Sequence, residues 1–180
     1  MAPADSVMPP RERCVLPAML EWRAKELKDK TLILFEGSES WTYADSHLHS
    51  RRAAAALQAI GIKRGEPVLV WLPSTSEIVR IHWGLSYLGG IFVPINLALK
   101  GGTLAHIISN SGARTMVCHA QLLERLENIS LGALERVIVV GGAAQGSLPL
   151  KYLDAECLTA SEDAFEKPSL GFGVTHTQSL

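Results

Sequence analysis

Gly141 and Gly146 follow the apolar run Val137-Ile138-Val139-Val140, with the residue spacing of a phosphate-cradling P-loop. A P-loop also needs a lysine for the phosphate charge and a Ser or Thr hydroxyl for Mg²⁺. Here Ser147 and Leu148 occupy those places, and Pro149 follows. A surface turn is therefore the expected reading. Gly171-Phe172-Gly173 begins a dinucleotide-type GxG, but His176 stands at the third glycine and no helical pattern follows.

The histidines offer little more. His47 and His49 sit two apart, so they point to different sides of a helix and cannot share one metal from one face. They are expected to be solvated. His82, beside Trp83 in an uncharged stretch, is expected to be a buried, hydrogen-bonded histidine rather than a catalytic one. His106 and His119 have no partner at a recognisable spacing, and there is no GxSxG. Cys14, Cys118 and Cys157 are odd in number and widely spaced, which suits reduced thiols and neither a metal set nor disulfides. Asn128-Ile129-Ser130 fits a glycosylation acceptor, but the N-terminus lacks the pattern of a secretory signal. No catalytic, cofactor-binding or metal-ligating residue is assigned from these patterns.

Composition narrows the class of protein. A hydrophobic content of 47% and a charged content of 19% are globular values. A net charge of −1 gives no electrostatic case for nucleic acid as a partner, and the four tryptophans are not set in a basic patch. Residues 81–99 carry no Asp, Glu, Lys or Arg, about the length of a membrane span. Gly89-Gly90 and Pro94 break that stretch, so a helix followed by a buried strand is expected instead of a span. A cytoplasmic protein is the expectation.

The elements that would position these residues alternate. Residues 1–30 are expected to be a lead-in with a short helix at 16–27. Residues 32–35 and 40–42 read as a hairpin turned at Gly37-Ser38. Thr42-x-x-Asp45 has capping-box spacing and opens a helix stopped by Gly61. Its alanines, Ala53 to Ala56, would let it lie close to a sheet. Ser74-x-x-Glu77 repeats the capping spacing before a helix ending at Gly89-Gly90. Further helices are expected at 103–109 and 121–126. Strands are expected at 32–35, 68–72, 91–95, 115–118 and 137–140. The prediction is an α/β fold over residues 31–145, with a mainly parallel sheet and helices on both faces. Residues 146–180 are expected to be irregular.

Several of these pieces, in order, resemble the opening of AMP-forming acyl-CoA synthetases, the adenylate-forming superfamily. Trp41-Thr42-Tyr43-Ala44-Asp45 resembles its "TYaeL" element, with Ser46 in place of leucine. Gly61-Ile62-Lys63-Arg64-Gly65-Glu66-Pro67-Val68 resembles its "GvkpGDrV" turn, with Glu66 and Pro67 replacing the acidic-basic pair. Leu72-Pro73-Ser74 resembles "LpN", and residues 84–96 resemble "ailkaGavyvPln".

The resemblance implies the first α/β subdomain of such an enzyme. It implies ATP, Mg and CoA for the full-length family, in which a carboxylate attacks the α-phosphate of ATP and a thiol then displaces AMP. The family's phosphate loop would begin just after Leu180, so none of its phosphate, Mg²⁺ or lysine residues maps onto this chain. Trp83, Tyr87 and Asn96 are the nearest candidates for a substrate-pocket wall. The chain is expected to be an N-terminal piece, inactive alone, and to partner the remainder of the enzyme. Apolar surface left open on the helix at 77–88 would otherwise drive self-association. The alternative is a stand-alone α/β module that binds a ligand or partner without catalysis.

Overall fold

The computed structural model describes residues 14–37 and 39–166. The first part of the lead-in, Ser38 of the hairpin turn, Gly171-Phe172-Gly173 and the rest of the segment past residue 166 lie outside the described residues.

Helix α1 (Leu16–Glu26) starts with Pro17 in its first turn, where a missing N–H costs nothing, and buries Leu20. Strands β1 (Thr31–Leu34) and β2 (Ser40–Thr42) pair antiparallel. Helix α2 (Tyr43–Ala59) opens on a complete capping box: the Thr42 hydroxyl accepts from the Asp45 N–H at 3.1 Å, and the Asp45 carboxylate accepts from the Thr42 N–H at 3.0 Å. Strand β3 (Pro67–Trp71), helix α3 (Ser76–Leu88), strand β4 (Ile91–Pro94), helix α4 (Gly101–Ser111) and strand β5 (Thr115–His119) follow. Gly89 ends α3 at φ 77°, a conformation that favours glycine. A 3-10 turn (Ala120–Leu126) leads to β6 (Arg136–Val140), and β7 (Lys151–Asp154) completes the sheet.

The main sheet has five strands, all parallel, in the order β4-β3-β5-β6-β7. Counted along the chain this is 2-1-3-4-5, the order of a doubly wound sheet. Period-two alternation divides each central strand between two cores. Val68, Val70, Val117 and Ile138 face the side covered by α1, α2 and α3. Leu69, Trp71, Met116, Val137 and Val139 face the side covered by α4 and the 3-10 turn. The expected α/β class, with helices on both faces, is what the chain forms.

Five expectations need correction. Residues 32–35 do not join the parallel sheet. They stay in a separate two-stranded ribbon in which Leu34 is 79% exposed. The fifth parallel strand is β7, from the segment expected to be irregular. Lys151 and Asp154 flank only two apolar residues there, a pattern an edge strand tolerates and periodicity does not reveal. Residues 120–126 wind as a 3-10 helix rather than an α-helix. The Ser74 capping box does not form: Thr75 is the N-cap, with no side-chain cap bond. Helix α3 leaves no open apolar stripe, because Ile81, Leu85 and Leu88 are at most 3% exposed. Among the described residues the exposed large apolar side chains are Met19, Leu34 and Leu97, scattered rather than clustered along α3.

Candidate functional site

The three pocket-wall candidates fall at different places. Tyr87 lies near the C-terminal end of α3, at the amino end of the sheet, and is 5% exposed. Its hydroxyl donates to the Pro17 carbonyl at 3.4 Å and meets Nδ1 of His47 at 2.8 Å. Burial raises the Tyr87 pKa. Tyr87 therefore ties α1, α2 and α3 together, and it lines neither the groove beside the 3-10 helix nor the one between α1 and α2. Trp83, four residues earlier, is half-buried against the same core. Asn96 sits past the end of β4 at the opposite, carboxyl end of the sheet. Its side chain accepts the Ala98 N–H at 2.8 Å, and its carbonyl accepts the Trp71 indole N–H at 3.1 Å. The fold does not bring these three residues into one wall.

The histidines depart from the solvated reading. His47 is taken up by Tyr87. The His49 ring packs on Trp41, with centroids 4.5 Å apart, and is half-buried. Desolvation lowers its pKa, and the Arg80 charge adds to this. His82 is half-buried rather than fully buried, stacked on Phe92 at 4.4 Å, and desolvation also lowers its pKa. Sequence spacing could not reveal these partners, because His47 and Tyr87 stand 40 residues apart.

Ligands of open parallel sheets bind beyond the carboxyl ends of the strands. A groove of about 350 Å³ lies between the 3-10 helix after β5 and the loop joining β6 to β7, lined by Ala120, Leu123, Glu124, Glu127, Gly146 and Tyr152 among others. It includes the P-loop lookalike, which is the expected exposed turn. A Cβ at Gly146 would collide with the Tyr152 phenol, so a larger residue there would have to displace that ring. The residues present do not fit ATP phosphates. The Ser147 hydroxyl donates to the Glu127 carboxylate at 3.1 Å, so the turn presents an anion where a phosphate needs a cation. A second groove, of about 530 Å³, lies between α1 and α2 and mixes Glu21, Lys25, Lys28 and Asp45.

Among the described residues no three His, Cys, Asp or Glu side chains converge as a metal set. Burial pushes the Cys118 thiol up to about 12, which removes it as a nucleophile at neutral pH.

A doubly wound parallel sheet with helices on both faces is a class of fold shared by many proteins, and comparison with known proteins identifies the family. Residues 20–168 match the family described as AMP-binding enzyme. The chain belongs to that family. 4-Coumarate–CoA ligase 3 of Arabidopsis thaliana is 30% identical over 98 residues, covering 54% of this chain and 18% of the relative. Acetyl-coenzyme A synthetase of Bacillus subtilis is 30% identical over 133 residues, covering 71% of this chain and 23% of the relative. Among solved structures, a long-chain-fatty-acid-CoA ligase from Archaeoglobus fulgidus superposes with a TM-score of 0.73 and 27% identity, over 92% of this chain and 33% of that one. The N-terminal domain of FACL13 from Mycobacterium tuberculosis shares the fold, with a TM-score of 0.68 and 24% identity, over 86% of this chain and 38% of that one. The chain thus spans less than a quarter of the length of these two curated relatives.

No helix among the described residues is long and apolar enough to cross a membrane.

Proposed function

We propose that this chain is the first α/β subdomain of an AMP-forming acid–CoA ligase and that its role is to brace the substrate-bearing half of the enzyme. The observation that carries this is the superposition over 92% of this chain but 33% of the Archaeoglobus fulgidus ligase. The parallel sheet, its two cores and the helices on both faces are all present, while the turn at Gly141 to Ser147 meets the Glu127 carboxylate and holds no lysine. In the whole enzyme, ATP, Mg and CoA would supply the activation and transfer chemistry. The residues described here supply packing and position. Adenylation depends on charge stabilisation by cationic and backbone donors held around the transferring phosphate. The described residues provide no such set, and on this reading the chain is inactive alone.

Pyrophosphate–ATP exchange with a panel of carboxylic acids tests this directly. The 180-residue chain should show no acid-dependent exchange. The same chain mixed with the complementary segment of a related CoA ligase should restore part of that ligase's activity. Acid-dependent exchange by the chain alone overturns the reading. Failure of the mixture with every ligase segment tried, from a chain that folds cooperatively and stays monomeric, favours a stand-alone binding module.

A further inference from the structure

The β1–β2 ribbon is outside the main sheet, and a two-stranded ribbon is marginal by itself. Trp41, which is 3% exposed, is one of its attachments, beside Leu32 on the same core and the α2 N–H groups of Tyr43 and Ala44 that bond the Lys30 and Lys28 carbonyls. Phe35 meets the indole edge-on at 4.9 Å, and the His49 ring of α2 lies at 4.5 Å with a 36° tilt. The Arg80 guanidinium of α3 lies 5.9 Å from the same indole. Trp41 Nε1 donates to one oxygen of Glu39 at 2.9 Å, and the other oxygen accepts the Ser76 hydroxyl of α3 at 2.9 Å. One indole and one carboxylate thus help to clamp the ribbon onto two helices.

The charges facing His49 come from every element around it: Asp45 and Arg52 from α2, Arg80 from α3, and Glu39 from the ribbon. Both carboxylates are already engaged, Asp45 by the Thr42 cap and Glu39 by Trp41 and Ser76. Arg80 pairs with Glu77 at 3.1 Å, yet its buried Nε has no hydrogen-bond partner. A proton on His49 would add a third cation to Arg80 and Arg52 in a half-buried place.

We propose that the β1–β2 ribbon is a pH-gated flap: neutral His49 holds Trp41 in its seat, and protonation of His49 releases the ribbon from α2 and α3.

The direction follows from linkage. Docking lowers the His49 pKa, by desolvation first and by Arg80 second. Released, the ring returns to the ordinary histidine range near about 6.5. Its contribution to docking is complete above that range and is lost as pH falls through the lowered, docked value. The indole face would attract an imidazolium, but desolvation and the Arg80 charge oppose it.

Amide exchange across residues 31–42 of the whole chain, corrected for intrinsic rate, tests the flap at about pH 7.5 and about pH 5.5, on either side of the ordinary histidine pKa. The ribbon should exchange several-fold faster at the lower pH, with little change in β3 and β5. H49F keeps an aromatic ring against Trp41 but cannot be protonated, so its ratio should be flat. H82Q should retain the wild-type ratio. An unchanged ratio in H49F, or acceleration spread equally over the parallel sheet, overturns the proposal. If H49F does not fold, H49Q takes its place. The ring titration of His49 in the wild type gives an independent readout, and a value at or above the ordinary one also overturns the flap.

Discussion

A Cβ placed on Gly84 of α3 would lie 2.6 Å from the Cβ of Ala53 on α2, and 3.0 Å from the backbone carbonyl carbon of Ala53. The four alanines at 53–56 are all at most 3% exposed. Their small side chains seat α2 close to a neighbouring helix at Gly84, whereas the sequence suggests only closeness to a sheet.

Gly84→Ala should therefore destabilise the chain although alanine is the better helix former. The helix gain is about 1 kcal/mol. Overpacking costs about 1–3 kcal/mol, and here the obstructing atoms include backbone that cannot rotate away. Urea unfolding should show a net loss of up to about 2 kcal/mol, the difference of those two effects. A gain in stability would mean that α2 and α3 separate more easily than this contact implies.

The two capping spacings predict unlike outcomes. Thr42→Ala removes a cap that is made, at a cost of about 1 kcal/mol. Ser74→Ala removes a side chain that caps nothing, and should be neutral in the same assay. The Asp45 pKa is lowered, first by the side-chain bond to Thr42 and then by the Thr42 backbone N–H. Its contribution is therefore present above the ordinary aspartate range and is lost as pH falls through the lowered folded value. Thr42→Ala should flatten that acid limb, and Ser74→Ala should leave it intact.

What could be read in the sequence was what local rules govern. The apolar runs of β3, β5 and β6 need no partner to be recognised, because strands buried on both faces are continuous hydrophobes. The Thr42 cap and the Gly89 stop are likewise local. β7 was hidden because Tyr152 and Leu153 gain their partners only across the sheet, from Val137 and Ile138. The Ser74 cap failed for a tertiary reason. Ser76, one residue past the N-cap, is drawn to Glu39 on the ribbon, 37 residues away. The pocket-wall candidates were chosen along the chain, and the fold places Tyr87 and Asn96 at opposite ends of the sheet.

Arg136 is one such contact with a measurable consequence. Its Nε donates to the Thr115 hydroxyl at 2.7 Å and its Nη1 to the Ile60 carbonyl at 2.7 Å, joining β6 to β5 and to the end of α2. Thr115 is fully buried. Arg136→Lys keeps the charge but cannot reach both acceptors from one ammonium. It leaves one of those polar groups without its donor, at about 1–3 kcal/mol. Denaturant midpoints should fall for Arg136→Lys nearly as far as for Arg136→Met. Full rescue by lysine would show that charge near Glu66, at 3.8 Å, matters more than the fork of donors.

Tyr87 gives the remaining prediction, and it turns on where the phenol proton sits. In the fold the hydroxyl has Pro17 as acceptor and His47 as partner, and burial disfavours the phenolate. An ordinary tyrosine ionises near about 10. The pKa of Tyr87 is raised, so its contribution to stability is complete below the ordinary value and is lost as pH rises through the folded one. An absorbance titration of the native chain should therefore show the Tyr87 step displaced above the ordinary tyrosine range and coinciding with alkaline unfolding. Tyr87→Phe removes the ionisation and should move unfolding to higher pH, while costing about 0.5–1.5 kcal/mol near neutrality through the lost hydrogen bonds. His47→Gln, which can still donate toward the hydroxyl, should cost less. An early, reversible Tyr87 step in a chain that stays folded would mean that the α1–α2–α3 junction opens to water, and that Tyr87 does not hold it shut.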